Sequence, residues 1–218
     1  MKCSIPTKPK TKFCILYLLI GILTFTFSIS NTFAKQTFSK HILIFGDSLS
    51  AAYGMDLDKG WVQLLANDLP DYQFTNASIS GETTIGGLER LPLTLEQVKP
   101  DIVFIELGAN DGLNGFPSVG IKNNLIEMID LVENTGAQVL LAGMSLPPNH
   151  GPRYIKQFEL IFEEVAEERQ LPMIKFYRSD FFETPGLIQQ DGLHPTESAQ
   201  PLIRDYMLQF IKQTEVLN

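Results

Sequence analysis

The sequence has few of the residues on which several common kinds of protein site depend. Only two of its 218 residues are cysteines, Cys3 and Cys14, and both lie near the start of the chain. Only three are histidines, and neither they nor the acidic residues show the spacing typical of a metal site. Basic residues (17) are outnumbered by acidic ones (25), which disfavours binding to nucleic acid or to an anionic lipid surface.

The first 34 residues contain no acidic residue and differ from the rest of the chain. Four lysines precede an apolar run from Phe13 to Ile29, and the small residues Thr32 and Ala34 follow it. This pattern predicts a signal peptide at residues 1–34, cleaved after Ala34. An uncleaved anchor is the alternative, although the run is short for a membrane span, which needs roughly 20 residues. Cys14 stands at the beginning of the run, which disfavours a lipoprotein signal.

Cleavage would leave residues 35–218, a length that suits one domain with a substantial core. This mature chain would contain no cysteine and therefore no disulfide. It would have 13 basic residues against 25 acidic ones, a net charge of −12. We therefore expect a periplasmic or secreted monomer that has no stable membrane anchor and acts on a small molecule.

Short apolar segments alternate with helical patterns along this mature chain. Apolar residues at helical spacing follow each apolar segment, although Pro92 should kink or delay the second helix and Pro195 should start the last one. The segments show little alternation, which predicts strands buried on both faces, at residues 42–45, 72–77, 102–107, 139–142 and 173–177. The pattern predicts a doubly wound α/β domain with a parallel sheet, in which ligands bind at the carboxyl ends of the strands.

The first of these strands runs directly into Gly46-Asp47-Ser48, within "HILIFGDSLSAAYGM". No G-x-G-x-x-G or G-x-x-x-x-G-K-[ST] pattern is present, which disfavours a phosphate-binding loop. The segment also lacks the last glycine of the G-x-S-x-G nucleophile elbow. A helix cap and a serine nucleophile at Ser48 remain as alternatives.

A serine nucleophile needs a base, and His194 in "DGLHPT" is the best candidate. Asp191, three residues earlier, can fold back onto the Nδ1–H of the ring and leave Nε2 free to accept the serine proton. A local hydrogen bond at a helix start is the alternative. His41 lies at the opposite end of its strand, so we expect it to be solvated or packed. His150 has no carboxylate nearby in the sequence, so we expect it to have a loop or substrate-contact role.

Acyl transfer also needs hydrogen-bond donors for an oxyanion. Asn110 follows the third strand in "LGANDG" and could offer its side-chain amide. Gly81 follows the second strand in "NASISGETT" and could offer its backbone N–H. Each is more often only a turn former, so the signal lies in the combination of four loops that all follow predicted strands.

"GDSLS", the glycine of "SISGET", "GAND" and "DGLHP" together resemble the four sequence blocks of the SGNH, or GDSL, hydrolases, in their usual order. The match is closest to the secreted bacterial acyl-CoA thioesterase, lysophospholipase and arylesterase branch. The resemblance implies a flavodoxin-like three-layer α/β/α sandwich with a five-stranded parallel sheet across residues 35–218. It implies Ser48 as nucleophile, His194 as base and Asp191 as the residue that orients it, with no metal or organic cofactor. The oxyanion hole would consist of the Ser48 and Gly81 N–H groups and the Asn110 side chain.

The same resemblance implies hydrolysis of fatty-acyl esters and thioesters, including arylesters, lysophospholipids and acyl-CoA. Apolar residues near the four loops could line an acyl groove, although ordinary packing is the alternative for each: Ile79, Leu113, Phe116, Leu146 and Pro147. We expect residues 111–120 to form a mobile loop over this groove, and Tyr53 and Trp61 to lie in the core. Two other functions stay open: a carbohydrate O-acetylesterase of the same family, and a catalytically silent module that binds a small ligand.

Overall fold

A single parallel sheet of five strands organises the molecule, in the order β2-β1-β3-β4-β5. The computed structural model describes residues 38–176, 184–214 and 216–217. The strands are β1 (His41–Gly46), β2 (Gln73–Asn76), β3 (Ile102–Glu106), β4 (Gln138–Gly143) and β5 (Met173–Lys175). The prediction of a five-stranded parallel sheet is confirmed, and the strand order is that of flavodoxin-like domains. The expected signal peptide and Tyr177, the expected end of β5, lie outside the described residues.

The central strands are buried on both faces, as their apolar runs predict. Ile42 of β1 pairs with Phe74 of β2 on one side and with Ile102 of β3 on the other. Every residue of β3 is buried, and its last residue, Glu106, is an acid. The burial follows from the two helical layers that cover the sheet.

Within the described ranges, six α-helices form these layers: α1 (Trp61–Asp68), α2 (Thr84–Val98), α3 (Ala109–Leu113), α4 (Ser118–Glu133), α5 (Pro152–Arg169) and α6 (Gln200–Gln213). Short 3₁₀ turns cover Leu57–Lys59, Pro148–His150 and Glu197–Ala199. Helix α1 packs against α6, whereas α4 packs against both α2 and α5. Right-handed crossovers place these two groups on opposite faces of the sheet. Within the described ranges, none of the helices is both long and apolar enough to span a membrane.

Helix α2 shows that Pro92 does not delay a helix, contrary to one expected outcome. The helix begins at Thr84, where the Thr83 side chain caps the Gly86 N–H, and it continues through Pro92 to Val98. Pro92 is exposed, so the carbonyl that loses its helical partner can be hydrated. Leu91 and Leu95 bury the opposite face and hold the helix on the sheet.

The last helix does not start at Pro195, and that prediction is wrong. Pro195 forms an isolated antiparallel bridge with Ile188, and the Thr196 N–H donates to the Leu187 carbonyl. These contacts keep the backbone extended until the 3₁₀ turn. The proline that starts α6 is Pro201, in its first turn.

The expected mobile loop at residues 111–120 is also largely helical. Helix α3 ends at Leu113 and α4 begins at Ser118, so only residues 114–117 connect them. The Tyr154 hydroxyl donates to the Gly112 carbonyl and fastens α3 to α5. The carboxyl ends of the strands are therefore covered here by a short, anchored turn.

The amino ends of the strands lie at the opposite edge of the sheet, where His41 begins β1. The His41 N–H donates to the Asp101 carboxylate at 2.7 Å, and its ring bonds the Thr75 hydroxyl at 2.8 Å. Burial lowers the pKa of His41, so its ring favours the neutral form. Val216, near the end of the described residues, lies at the same edge, where its carbonyl accepts a hydrogen bond from Lys40 Nζ. His41 thus has a packing role, as expected.

Candidate active site

Ser48 lies in the tight turn that follows β1 at the carboxyl edge of the sheet. The turn is fixed by the Ala51 N–H, which donates to the Asp47 carbonyl, and by the buried side chain of Leu49. Trp61, fully buried as expected, donates its indole N–H to the Leu49 carbonyl at 3.1 Å. The Ser48 residue is only 8% exposed. The end of a rigid strand and an aromatic anchor therefore hold the hydroxyl in one place.

His194 and Asp191 lie in the segment between β5 and α6. Asp191 Oδ2 is 2.7 Å from Nδ1 of His194, while Oδ1 accepts the backbone N–H groups of Leu193 and His194. Burial raises the pKa of Asp191, but the hydrogen bonds from His194 and the two amides outweigh it, so the pKa lies below its ordinary value. The carboxylate is therefore ionised and fixes the imidazole through Nδ1.

The structure brings these residues together with Ser48. His194 Nε2 lies 2.8 Å from Ser48 Oγ, although the two residues are 146 positions apart in the chain. With Nδ1–H bonded to Asp191, the tautomer leaves Nε2 as an acceptor for the serine proton. The result is one continuous hydrogen-bonded series of serine, imidazole and carboxylate.

Tyr53 stacks on the His194 imidazole. The expectation that Tyr53 lies in the core is wrong. Its ring centroid is 4.0 Å from that of His194, with an angle of 26° between the planes, and the residue is 46% exposed. Gln189 Nε2 donates to the Tyr53 and Pro195 carbonyls, and the Gln189 N–H donates to the His194 carbonyl. Sequence analysis missed both residues, although Tyr53 is close to Ser48 and Gln189 is close to Asp191 in the chain.

Two of the three expected oxyanion donors are free. The N–H groups of Ser48 and Gly81 donate to no atom among the residues that the structure describes. Gly81 is exposed, has φ of +82°, and has open space where a side chain would be. That conformation favours glycine and leaves the amide accessible from solvent.

The third expected donor, Asn110, already uses both side-chain N–H groups. Its Nδ2 donates to the Asp47 carboxylate at 3.0 Å and to the Glu82 carbonyl at 2.9 Å. The bond to Glu82 must open, or be shared, before Asn110 can donate to a substrate oxygen. The bond to Asp47 can persist and fix the plane of the amide.

A cleft of about 280 Å³, including its opening to solvent, lies beside Ser48 and Asn110. Three of the five expected groove residues line it: Leu113, Leu146 and Pro147. The other two, Ile79 and Phe116, are 51% and 43% exposed and lie outside this wall. The cleft is thus apolar on the side away from the hydroxyl.

Three buried carboxyl groups lie beneath the site, and sequence analysis missed their role. Glu106 Oε2 accepts the Ser50 hydroxyl at 2.7 Å and the Asp47 N–H at 3.2 Å. Asp111 accepts the N–H and the hydroxyl of Thr84. No basic side chain of the described ranges forms an ion pair with any of the three. An acid inside the apolar run "IVFIEL" was the one sequence signal for this network.

Burial governs the charge of this network. It raises the pKa of Asp47 to about 7 and that of Glu106 well above its ordinary value. The interaction between the two side chains lowers the pKa of Asp47 and raises that of Glu106, which favours the charge on Asp47 and the proton on Glu106. The pair therefore holds a proton to a higher pH than ordinary carboxyl groups do.

His150 is the third histidine of the sequence, and the structure places it in a loop at the carboxyl edge of the sheet. His150 lies in the 3₁₀ turn after β4, where its Nδ1 is 3.2 Å from the Pro147 carbonyl, which agrees with a loop role. Across the described ranges no three His, Cys, Asp or Glu residues are grouped so that they could hold a metal ion.

A serine, an imidazole and a carboxylate in series at the carboxyl edge of an α/β sheet form the arrangement of a serine hydrolase. The pattern of the GDSL-like lipase/acylhydrolase family matches residues 44–200, and the chain belongs to this family.

Characterised relatives cover most of the chain. It is 43% identical over 180 residues to the arylesterase of Vibrio mimicus, an overlap of 81% of this chain and 90% of the relative. It is 38% identical over 192 residues to thioesterase 1/protease 1/lysophospholipase L1 of Escherichia coli K12, 88% of each protein. The crystal structure of the psychrotrophic esterase EstA from Pseudoalteromonas sp., inhibited by monoethylphosphonate, superposes with a TM-score of 0.75. That comparison has 44% identity and covers 79% of this chain and 97% of EstA.

Proposed function

We propose that this protein hydrolyses fatty-acyl esters and thioesters through an acyl-enzyme on Ser48. The observation that carries the proposal is the 2.8 Å contact between Ser48 Oγ and His194 Nε2, in a chain that belongs to an acylhydrolase family. The names of the relatives, an arylesterase and a thioesterase/lysophospholipase, support arylesters, acyl-CoA thioesters and lysophospholipids as the substrate class.

The reaction follows from these positions. His194 Nε2 takes the Ser48 proton as Oγ attacks the acyl carbonyl, and Asp191 stabilises the imidazolium that forms. The N–H groups of Ser48 and Gly81 and the amide of Asn110 donate to the oxyanion. The imidazolium then protonates the leaving alcohol or thiol, and an acyl-Ser48 ester remains. Water repeats the sequence on this ester and releases the carboxylic acid, so the residues and water complete the chemistry without a cofactor.

Substitution of Ser48 by alanine tests the assignment. We expect Ser48→Ala to keep the melting temperature and to lose nearly all hydrolysis of p-nitrophenyl esters. A fluorophosphonate probe should label the wild type but not this variant, because only an activated hydroxyl reacts. Ser198→Ala, at an exposed serine that bonds Thr196, is the matched control and should label fully. Activity of Ser48→Ala within about tenfold of wild type would exclude Ser48 as the nucleophile, because loss of a nucleophile costs far more.

Acyl-chain preference separates this function from the two alternatives. A carbohydrate O-acetylesterase should cleave acetyl esters and fail on octanoyl and dodecanoyl esters. A silent binding module should cleave none and resist the probe. The apolar walls Leu113, Leu146 and Pro147 favour longer acyl groups, so a panel of p-nitrophenyl esters from acetyl to dodecanoyl decides between them.

Residues 1–34 act in our proposal as a signal peptide, so the mature chain 35–218 works in the periplasm or outside the cell as a monomer. The basic head, the apolar run and Ala34 support this part of the proposal. Mass spectrometry of the protein secreted from a bacterial host should give an N-terminus at Lys35. Ala34→Phe should block the cleavage. An intact N-terminus in the wild type would contradict a cleaved signal.

A further inference from the structure

The turn that carries Ser48 rests on an acid that the proposed reaction does not use. Glu106, at the end of β3, is fully buried, and its Oε2 lies under the turn as an acceptor for the Ser50 hydroxyl and the Asp47 N–H. A Cβ on Gly46 would collide with this carboxyl group, so glycine is needed where β1 passes over it. The turn that carries Ser48 is therefore held in place by direct contacts with Glu106.

The other oxygen of Glu106 shows which form the acid takes. Oε1 is buried without a hydrogen-bond partner, a costly position for a carboxylate oxygen. A proton on Oε1 would make it a donor, and the Asp47 side chain, which interacts with that of Glu106, can act as the acceptor. Asp47 Oδ1 accepts the Leu49 N–H, and Oδ2 accepts the Asn110 amide, so ionised Asp47 has lone pairs for a third donor.

The series Glu106–Asp47–Asn110 thus leads from the sheet to the oxyanion hole. We infer that Glu106 is a positioning residue of the proposed hydrolysis: it shares one proton with Asp47, so that Asp47 fixes the Asn110 amide while the pair bears a single negative charge. A second negative charge at this place would oppose the oxyanion that forms beside Asn110. The inference rests on the proposed function, whereas the location of the proton can be measured without it.

The charged groups nearest the pair come from α3, from α2 with the loop before it, and from the segment of His194. Asp111 of α3 is buried, and its charge raises the pKa of Asp47. From α2, the Arg90 guanidinium lies 3.9 Å above the Phe45 ring and is paired with Glu82. His194 reaches the pair only through Ser48. Since no cation contacts the pair directly within the described ranges, loss of its proton leaves two adjacent buried carboxylates.

The pH dependence of kcat tests this arrangement. In the wild type kcat should fall on the alkaline side by up to about tenfold per pH unit, as the shared proton is lost. Glu106→Gln places a permanent amide donor beside Asp47, so it should keep kcat at neutral pH within about threefold and lose the alkaline decline. A decline that persists unchanged in Glu106→Gln would overturn the inference.

Ser50→Ala is a second test, because it should shift the alkaline decline of kcat to higher pH without removing the carboxyl group of Glu106. The Ser50 hydroxyl stabilises ionised Glu106, and its removal should raise the pKa of the pair. The alkaline decline of kcat should therefore move to higher pH in Ser50→Ala. A move to lower pH, or none, would contradict the shared proton.

A double-mutant cycle separates positioning from general support of the fold. Glu106→Ala should lower kcat by about tenfold or more, in the range of a lost oxyanion donor, with little change in KM. In the Asn110→Ala background the same change should cost less than about twofold, because the two residues act through one amide. Equal losses in both backgrounds would mean that Glu106 only supports the fold.

Infrared spectra of the folded protein locate the proton independently of activity. The C=O stretch of a protonated carboxyl group should be present in the wild type and in Ser48→Ala, and absent in Glu106→Gln, at a pH above the value of about 7 at which Asp47 loses its own proton. Its absence from the wild type would overturn the inference even in an active enzyme. A wild type that shows the band but hydrolyses no ester would overturn the proposed function alone.

Discussion

Tyr53 is the residue that contacts the proposed base most directly besides Asp191 and Ser48. Its ring covers one face of the His194 imidazole and leaves the hydrogen bonds of Nδ1 and Nε2, which lie in the plane of that ring, undisturbed. An aromatic pair of this kind is worth about 0.5–1.5 kcal/mol beyond its buried area. The stacking therefore restrains rotation of the imidazole about the axis set by Asp191.

Tyr53→Ala should lower kcat by about two- to tenfold, the rate equivalent of that energy, with KM nearly constant. Tyr53→Phe keeps the stacked ring and is the matched control, so it should behave as wild type. Steady-state kinetics on one ester measure both parameters. If KM rises while kcat stays constant, Tyr53 contacts the substrate and does not orient the base.

Asp191 and His194 should differ in how much activity each supports. His194→Ala removes the base, whereas Asp191→Asn keeps an imidazole that is only less well oriented. Asp191→Asn should therefore retain roughly 10- to 100-fold more kcat/KM than His194→Ala. Single-turnover hydrolysis of an activated ester gives the comparison, and a reversed order would contradict the roles assigned here.

The same carboxylate has a predictable effect on stability. The pKa of Asp191 is lower in the folded protein than in the unfolded chain. Its contribution to stability is therefore present above the unfolded pKa and is lost as the pH falls through the folded pKa. The difference in melting temperature between wild type and Asp191→Asn should shrink on acidification. A difference that grows below pH about 4, the ordinary value for Asp, would show that the sign is wrong.

Among the elements, the connection between α3 and α4 is exposed along its whole length, residues 114–117. Leu113 ends α3 and lines the cleft, and Phe116 projects from the four-residue connection. A side chain in this position is free to fold over an acyl chain and to exclude water when a substrate binds.

Phe116→Ala should reduce activity on octanoyl and dodecanoyl esters more than on acetyl esters. Each buried methylene contributes up to about 0.8 kcal/mol, so the loss should grow several-fold along the series and should appear mainly in KM. Val119→Ala, an exposed position at the start of α4, is the matched control. A constant ratio of decanoyl to acetyl activity with a native melting temperature would remove Phe116 from the acyl site.

The elements show where sequence patterns suffice and where they do not. Apolar runs predicted the positions of all five strands, but only the central strands β1, β3 and β4 are buried on both faces. The prediction of burial on both faces is wrong for β2 and β5, because they lie at the edges of the sheet and are partly exposed. Helix α3 was not predicted, because its five residues include Asn, Asp and Gly and have no apolar repeat. The residue that anchors it, Tyr154, comes from α5. Pro195 was misjudged because its extended backbone depends on a bridge to Ile188 that no local pattern reveals.

At the site, the motifs identified the residues whose chemistry is unusual, and missed those that support them. The Ser48–His194 contact spans 146 positions and was predicted from the types of residue that acyl transfer requires and from the resemblance to the SGNH hydrolases. Tyr53 and Glu106 act by packing and by burial, which depend on the assembled sheet. The occupied state of Asn110 likewise depends on Asp47 and Glu82, which come from two other loops.

For the whole molecule, the Asp47–Glu106 pair sets how stability depends on alkaline pH. Both pKa values are raised by folding, so the stability associated with the pair is fully present below the unfolded values of about 4. It decreases as the pH rises through about 7 for Asp47 and beyond for Glu106, because the unfolded chain then binds fewer protons.

The melting temperature of the wild type should therefore fall between neutral and alkaline pH. Glu106→Gln should show a shallower fall, since one of the two buried acids can no longer ionise. Glu96→Gln, at an exposed acid on α2, is the matched control for general repulsion in an acidic protein. Calorimetry at a series of pH values measures all three, and parallel curves for wild type and Glu106→Gln would contradict the buried-pair account.

The two ends of the described domain lie side by side. Lys40 donates a hydrogen bond to the Val216 carbonyl, and the Tyr72 hydroxyl donates one to the Leu217 carbonyl. They meet at the amino edge of the sheet, whereas Ser48, Asn110 and His194 lie beyond the carboxyl ends of the strands. The order of the elements along the chain is therefore not needed to hold the site together. A short linker between these ends, with a new opening in the exposed turn around Gly136, would give a circularly permuted chain with the same catalytic edge.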